Sequence, residues 1–231
     1  RKDTLRPQLF KLRGRCQVDC RDVSLLRRYD QKIGCDFEKI RTESKEGFRT
    51  MAPPQKRILG RTRIAVSELG FGAWPIGGAQ YGPVPEGEAI ETVKAYIQAG
   101  GNFIDTARAY GQSEAILGKV LSQDRLRDQI ILASKTFKGD SLESIPAIRA
   151  DLEESLRLLR TDYLDLYYLH MPPDDPEIMD RTLDEFEILK KEGKIRAIGA
   201  SIKGPAVTAA TVKLCCQYID SGRVDAIQLV Y

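Results

Sequence analysis

The sequence has 231 residues, of which 42% are hydrophobic and 30% charged, and its formal net charge is +3 at pH 7. This composition excludes a disordered chain, because it provides enough apolar surface for a sizeable core. No stretch reaches the ~18 to 20 apolar residues that span a bilayer, and the charged amino-terminal residues lack the apolar segment of a signal peptide. We therefore expect a cytoplasmic protein without a membrane partner.

Residues 1–50 carry 14 Lys and Arg residues against 8 Asp and Glu residues, without helical or strand periodicity. We expect them to form a disordered basic extension of unknown role. A basic arm could contact nucleic acid, but this one lacks interleaved aromatic residues and any recognisable motif, so no nucleic-acid partner is predicted. The folded unit is expected to span residues 51–231.

The extension also contains three of the five cysteines. An odd number of cysteines with irregular spacing argues against a disulfide framework. Cys16, Cys20 and Cys35 could be three zinc ligands, but His170 is the only histidine in the sequence and no second ligand pair follows. We therefore predict no metal site.

The folded unit begins with a predicted hairpin, in which the apolar runs RILG and IAVS surround a glycine-containing turn. After it, short apolar runs alternate with amphipathic helical patterns. The predicted strands are LGFGAW, NFIDTA, IILASKT, LDLYYLH, IRAIGAS and AIQLVY. The predicted helices are EGEAIETVKAYIQAG, SEAILGKVLSQ, SIPAIRADLEESLRLLR, IMDRTLDEFEILKKEG and AVTAATVKLCCQYIDSG. Each strand and helix together take about thirty residues, the size of a βαβ step.

This alternation predicts a parallel sheet covered by helices, which is found in both doubly wound sheets and (β/α)₈ barrels. The doubly wound dinucleotide fold requires G-x-G-x-x-G between the first strand and its helix. Gly70, Gly72, Gly77 and Gly78 have the wrong spacing for this motif, and Pro75 interrupts them. We interpret these glycines as turn and close-packing residues.

Polar side chains at successive strand ends favour the barrel. Asp105, Lys135, His170 and Ser201 each stand at the carboxyl end of a different predicted strand. Barrel enzymes collect their active sites at that face, whereas a doubly wound sheet binds ligands near one switch point. We therefore predict an α/β fold, a (β/α)₈ TIM barrel with an N-terminal β-hairpin, of which this chain contains about six strands.

On such a barrel, Asp105, Tyr110, Lys135 and His170 could converge on one substrate. A free tyrosine is a poor acid near neutral pH, but a neighbouring lysine ammonium favours the phenolate, and a carboxylate paired with the lysine orients it. This set can protonate an alkoxide that develops from a carbonyl. His170 could donate a hydrogen bond to the same oxygen. None of these side chains can donate a hydride, so a nicotinamide cofactor is required.

Each of these residues, taken singly, is more often structural: a turn cap, a solvated charge, a buried histidine or a loop aromatic. Their placement at successive strand ends favours the functional interpretation.

A different enzymatic hypothesis uses Lys135 as a Schiff-base nucleophile, as in barrel aldolases. The neighbourhood of Tyr110 and Asp105 disfavours it, since an aldolase does not need that arrangement.

The segments FIDTARAYGQSE, ILASKT, DYLDLYYLH and GKIRAIGAS resemble the signature segments of the aldo-keto reductases. The opening KRILGRTRIAVSELGFGAWPIGG is similar to the amino-terminal hairpin and first strand of that family. The resemblance covers residues 56–231 and implies an NADP(H)-dependent reduction of an aldehyde or ketone to an alcohol.

The resemblance also implies roles for individual residues. Tyr110 matches the family's proton donor, Lys135 matches the lysine that activates it, and Asp105 matches the aspartate that pairs with this lysine and lies against the nicotinamide ribose. His170 matches the histidine that orients the substrate carbonyl. The implied partner is a small carbonyl substrate, and the oligomeric state stays open.

Further positions match cofactor and substrate contacts of the family. Ser201 and Gln228 match residues that hold the nicotinamide carboxamide, and Trp74 matches a pocket-lining aromatic residue. Ile202 departs from the asparagine that commonly follows this serine, which puts one carboxamide hydrogen bond in doubt. The chain stops at Tyr231, in the sixth strand, before the loops that grip the adenosine 2′-phosphate. We therefore expect a gene fragment that is inactive by itself, and the choice of NADP over NAD rests on the resemblance.

Some proteins that resemble aldo-keto reductases are regulatory subunits of ion channels. The alternative function is therefore a cofactor-binding sensor or regulatory subunit without significant turnover. All four catalytic positions are present, which favours catalysis but is also compatible with sensing.

Overall fold

The computed structural model describes residues 53–78, 82–123, 126–202 and 207–229. The predicted basic extension, residues 1–50, lies outside the described residues, and so does the zinc hypothesis on Cys16, Cys20 and Cys35.

The described residues form eight strands and five α-helices, with short 3₁₀ turns between some of them. The strands are β1 (Lys56–Ile58), β2 (Ala65–Ser67), β3 (Phe71–Gly72), β4 (Phe103–Asp105), β5 (Ile131–Thr136), β6 (Leu164–His170), β7 (Ile195–Ile202) and β8 (Ala226–Leu229). The helices are α1 (Glu86–Gln98), α2 (Ser113–Leu121), α3 (Ala147–Leu159), α4 (Pro176–Lys191) and α5 (Ala209–Asp220). Within the described ranges, no helix has the length and apolar character needed to cross a membrane.

Strands β3 to β8 form one parallel sheet in the order of the sequence, and helices follow the strands. Successive residues of a strand face opposite sides of the sheet. Leu132 and Ile198 accordingly belong to the large apolar cluster under the helices, whereas their neighbours Ala133 and Ala197 belong to a second cluster on the other side. Both faces are therefore buried, as in a parallel barrel sheet. The predicted incomplete (β/α)₈ architecture is confirmed.

The predicted amino-terminal hairpin is also present, as the antiparallel pair β1–β2. Its residues Leu59 and Val66 are buried in the second cluster together with Phe103, the first residue of β4. Asn102 ties the hairpin to the same strand, because its Oδ1 accepts from the Ser67 amide at 2.7 Å. The hairpin thus covers the amino-terminal end of the strands and leaves the carboxyl end open.

Three helices end next to a glycine that has a positive φ. Gly100, Gly193 and Gly222 have φ angles of 86°, 78° and 69° and follow α1, α4 and α5. Glycine is favoured in this left-handed region because it lacks a Cβ atom. The first strand is shorter than LGFGAW predicted. Trp74 already has helical dihedral angles and leads into the 3₁₀ turn that begins at Pro75.

Helices α2 and α3 pack closely at Gly118, where a Cβ atom would lie 2.1 Å from the carbonyl oxygen of Leu158. We expect Gly118→Ala to lower the free energy of unfolding by about 2 kcal/mol, because a backbone carbonyl cannot move aside cheaply. Gly87→Ala in α1 is the matched control, since nothing lies within 4 Å of the added atom. Urea unfolding of the full-length variants measures both effects, and a Gly118→Ala protein as stable as the parent would contradict the packing.

Candidate active site

The functional residues predicted from the sequence lie at the carboxyl ends of neighbouring strands. Asp105 ends β4, Lys135 is the penultimate residue of β5 and His170 ends β6. His170 is paired with Ser201 of β7, and Ser201 is paired with Gln228 of β8. The structure therefore brings these residues to one edge of the sheet, the edge at which barrel enzymes bind their substrates.

Lys135 is only 1% exposed, yet each of its three ammonium donors has an acceptor. Its Nζ lies 2.7 Å from Asp105 Oδ2, 2.8 Å from the Thr106 carbonyl oxygen and 3.3 Å from the Tyr110 hydroxyl oxygen. Such pairing is necessary because moving an unpaired charge out of water is costly. The lysine thus joins the carboxylate and the phenol at the centre of the site.

Tyr110 comes from the loop 106–112, between β4 and α2. Gly77 allows this loop to approach, because a Cβ atom on Gly77 would lie 1.8 Å from the Tyr110 carbonyl oxygen. The Gln112 amide also donates to the Gly77 carbonyl at 3.1 Å. The Lys135 ammonium donates a hydrogen bond to the Tyr110 hydroxyl oxygen. The O–H of Tyr110 can therefore point to another acceptor.

Aromatic rings line the space in front of Tyr110. Trp74 stacks on Tyr110 with ring centroids 5.9 Å apart, and His170 approaches the same ring edge-on at 5.8 Å. Phe137 stacks on His170 at 4.2 Å. The predicted substrate contacts Trp74 and His170 are thus brought to the predicted proton donor.

The sequence pattern did not lead to Phe137 as a residue of the site. Phe137 follows β5, is 40% exposed and stacks on His170. The strand period could have identified it, because residues two apart share a face and Phe137 stands two positions after Lys135.

Met171 is a second residue that the sequence did not reveal. It is 48% exposed and has a φ of 65°, a left-handed conformation that is rare outside glycine. Its amide donates to the Ser201 carbonyl at 2.9 Å, which helps to hold this conformation. Strained backbone of this kind clusters at functional sites.

A chain of hydrogen bonds joins the residues predicted to contact a cofactor. Gln228 Nε2 donates to Asp105 Oδ2 at 3.2 Å, and Ser201 Oγ donates to Gln228 Oε1 at 2.8 Å. The other oxygen, Asp105 Oδ1, is buried and has no hydrogen-bond partner among the described residues. Because buried acceptors are normally satisfied, this oxygen fits a hydroxyl donor from a bound molecule.

In the ranges that the structure describes, no group of three or more His, Cys, Asp or Glu side chains could hold a metal ion. The described site presents a phenol, an ammonium, an imidazole and a carboxylate.

Comparison with known proteins links this geometry to a family. The sequence model described as "Aldo/keto reductase family" matches residues 68–229. An aldo-keto reductase of Bacillus subtilis (strain 168) is 43% identical over 149 residues, which are 61% of this chain and 44% of the relative. The chain spans about half the length of the curated relatives it matches.

Solved structures agree. The holo form of an aldo-keto reductase from Bacillus halodurans superimposes with a TM-score of 0.62 at 33% identity, over 77% of this chain and 58% of that one. An aldo-keto reductase from Klebsiella pneumoniae in complex with NADPH gives a TM-score of 0.61 at 29% identity, over 78% and 59% of the two chains. The family match covers more than half of the sequence and the whole described sheet, and the chain belongs to the aldo/keto reductase family.

Proposed function

We propose that this protein reduces an aldehyde or ketone to an alcohol with NADPH, and that Tyr110 is the general acid. The observation that carries the proposal is the position of Lys135 between the Asp105 carboxylate, at 2.7 Å, and the Tyr110 hydroxyl, at 3.3 Å. A lysine that donates to a phenol oxygen favours negative charge on that oxygen. The phenol can then release its proton to an alkoxide as the carbonyl is reduced.

The remaining residues orient the carbonyl. The imidazole of His170 lies edge-on to the Tyr110 ring, so a carbonyl oxygen in front of Tyr110 can contact both side chains. A second donor at this oxygen stabilises the charge that develops on it. Reduction requires a hydride, which a nicotinamide cofactor supplies when bound.

The residues at the strand ends fit such a cofactor. Asp105 Oδ1 offers a buried acceptor for a ribose hydroxyl. Ser201 and Gln228, already hydrogen-bonded to each other, present a hydroxyl and an amide beside it. These side chains offer the hydrogen-bond donors and acceptors that the ribose and carboxamide groups of a nicotinamide nucleotide require. The NADPH complex of the Klebsiella pneumoniae relative supports the choice of cofactor.

The walls of the site favour an apolar carbonyl compound. Trp74 and Phe137 present two aromatic rings, and Phe137 is substantially exposed. An aromatic aldehyde can cover these side chains and so remove their apolar surface from water. A small polar aldehyde gains less from the same contact.

The full-length protein, incubated with NADPH and benzaldehyde, is therefore expected to consume NADPH and form benzyl alcohol. The value of kcat/KM should be higher for benzaldehyde than for glycolaldehyde, and parallel reactions with NADH measure the cofactor preference. Absorbance at the nicotinamide band follows the rate, and chromatography identifies the alcohol. Tight NADPH binding without any alcohol product, over a panel of aldehydes and ketones, would instead support the sensor function.

A further inference from the structure

The strand residues on either side of Lys135 both contact buried or half-buried carboxylates. Ser134 Oγ donates to Glu114 Oε1 at 2.7 Å, and Thr136 Oγ1 donates to Asp151 Oδ2. Because side chains alternate along a strand, these two contacts lie on the face opposite Lys135. Glu114 is in the first turn of α2 and Asp151 is in α3. Two helices thus fix the backbone of Lys135 from the face of the sheet opposite its side chain.

One arginine joins both carboxylates. Arg108 Nη1 lies 2.5 Å from Glu114 Oε2, and Arg108 Nε lies 3.6 Å from Asp151 Oδ1. Arg108 belongs to the loop 106–112, two residues before Tyr110. Its amide also donates to the Lys135 carbonyl at 3.2 Å. The network therefore connects the loop that carries the phenol to the strand that carries the ammonium.

The network is poorly explained as a source of stability. The Glu114 side chain is only 1% exposed, and burying a carboxylate costs several kcal/mol that its partners only partly recover. Apolar residues of similar size often stabilise such positions as well or better. Partial burial by itself lowers the pKa of Arg108, but the hydrogen bond and charge of Glu114, with the charge of Asp151, hold that pKa above its ordinary value. The arginine therefore stays charged.

A charged network specifies geometry more strictly than apolar packing does, because each hydrogen bond has a preferred direction. The loop also has an uncharged hydrogen bond, since Thr106 Oγ1 and Ser113 Oγ lie 2.7 Å apart in the interior. The first residue of the loop is thereby held to the first residue of α2, and Arg108 fixes the middle of the loop. Tyr110 follows two residues after Arg108, and its hydroxyl lies 3.3 Å from Lys135 Nζ.

We infer that Glu114 and Arg108 are positioning residues for the reduction, which hold the Tyr110 hydroxyl at its distance from Lys135. This inference rests on the proposed function, but it concerns side chains on the far side of the sheet from the substrate. A displacement of a reacting group by about 1 Å can cost roughly 10²-fold in rate. Loosening the loop should therefore lower kcat, whereas KM and the affinity for NADPH should stay unchanged.

The test uses Glu114→Gln in the full-length protein, which keeps the side-chain shape and removes the charge. We expect kcat for benzaldehyde to fall about tenfold, within the loss that misplacement of a reacting group causes. Hydrogen–deuterium exchange should become faster in peptides covering residues 106–113 and stay at the parent's rate in β6.

Arg108→Lys should retain more activity than Arg108→Met. The double variant Glu114→Gln/Arg108→Met should lose less than the product of the two single losses, because the pair acts as a unit.

Glu86→Gln is the matched control. Glu86 is the first residue of α1 and accepts from Lys119 of α2 at 2.7 Å. This change therefore also removes one carboxylate from an ion pair that involves α2, but from an exposed pair. It should leave kcat and loop exchange at the parent's values.

Two results would overturn the inference. In the first, Glu114→Gln has the parent's kcat and the parent's rate of hydrogen–deuterium exchange in residues 106–113. In the second, exchange becomes faster throughout the protein, which would make Glu114 an ordinary stabilising residue. If the parent reduces no carbonyl compound, the proposed function fails, and exchange in residues 106–113 then decides the positioning role alone.

Discussion

Tyr110→Phe is expected to lower kcat for carbonyl reduction by about 10³-fold, within the range that general acid catalysis contributes. The variant removes only the hydroxyl that lies 3.3 Å from Lys135 Nζ. Phenylalanine keeps the ring, so the stacking contact with Trp74 and the edge contact with His170 should persist. The substrate pocket should therefore stay intact while the proton donor is lost.

Steady-state kinetics with benzaldehyde measure the loss, and fluorescence titration with NADPH measures cofactor affinity, which should equal that of the parent. Tyr163→Phe is the matched control. Tyr163 directly precedes β6, at the end of the sheet opposite the site, so the same loss of a hydroxyl should leave kcat unchanged. A Tyr110→Phe protein that turns over at the parental rate would assign the general acid to another group.

Lys135→Met is expected to remove activity and also to destabilise the protein by about 3 kcal/mol, since breaking a buried ion pair leaves the partner charge uncompensated. The partner is Asp105, 2.7 Å from the ammonium, with a side chain only 16% exposed. Methionine has a similar length and no charge, so the packing around the site changes little. This variant should therefore combine a catalytic defect with a defect in stability.

The double variant Asp105→Asn/Lys135→Met separates the two defects. Without the carboxylate, the unpaired charge is gone, so much of the lost stability should return while the activity should not. Urea unfolding and NADPH consumption measure the two quantities on the same preparations. Lys135→Met with parental stability would mean that the pair is not energetically coupled.

The same lysine allows a test of the aldolase hypothesis. A Schiff-base mechanism predicts that borohydride traps a carbonyl substrate covalently on Lys135. The Lys135 ammonium donates hydrogen bonds to Asp105, Thr106 and Tyr110, and a Schiff base on Lys135 would break this arrangement. Mass spectrometry of the borohydride-treated parent should therefore detect no adduct.

Local patterns in the sequence were sufficient to predict the order of the strands and helices. The runs ILASKT and LDLYYLH each become a strand, β5 and β6, because an apolar run of this length can be buried on both faces of a parallel sheet. Glycines such as Gly193, with a φ of 78°, follow the ends of helices, because this backbone conformation depends on the residue itself. The first predicted strand, LGFGAW, was too long, since Trp74 already turns into a 3₁₀ helix.

The sequence by itself determined the class of fold, the strand ends that carry Asp105, Lys135 and His170, and the family to which those motifs belong. Only the tertiary structure placed Phe137 on His170 and connected Arg108 to Glu114 and Asp151. The physical reason is that helical and strand periods act over neighbouring residues, whereas these contacts join side chains from different elements. Their distances depend on how closely the helices pack on the sheet, and no local pattern encodes that packing.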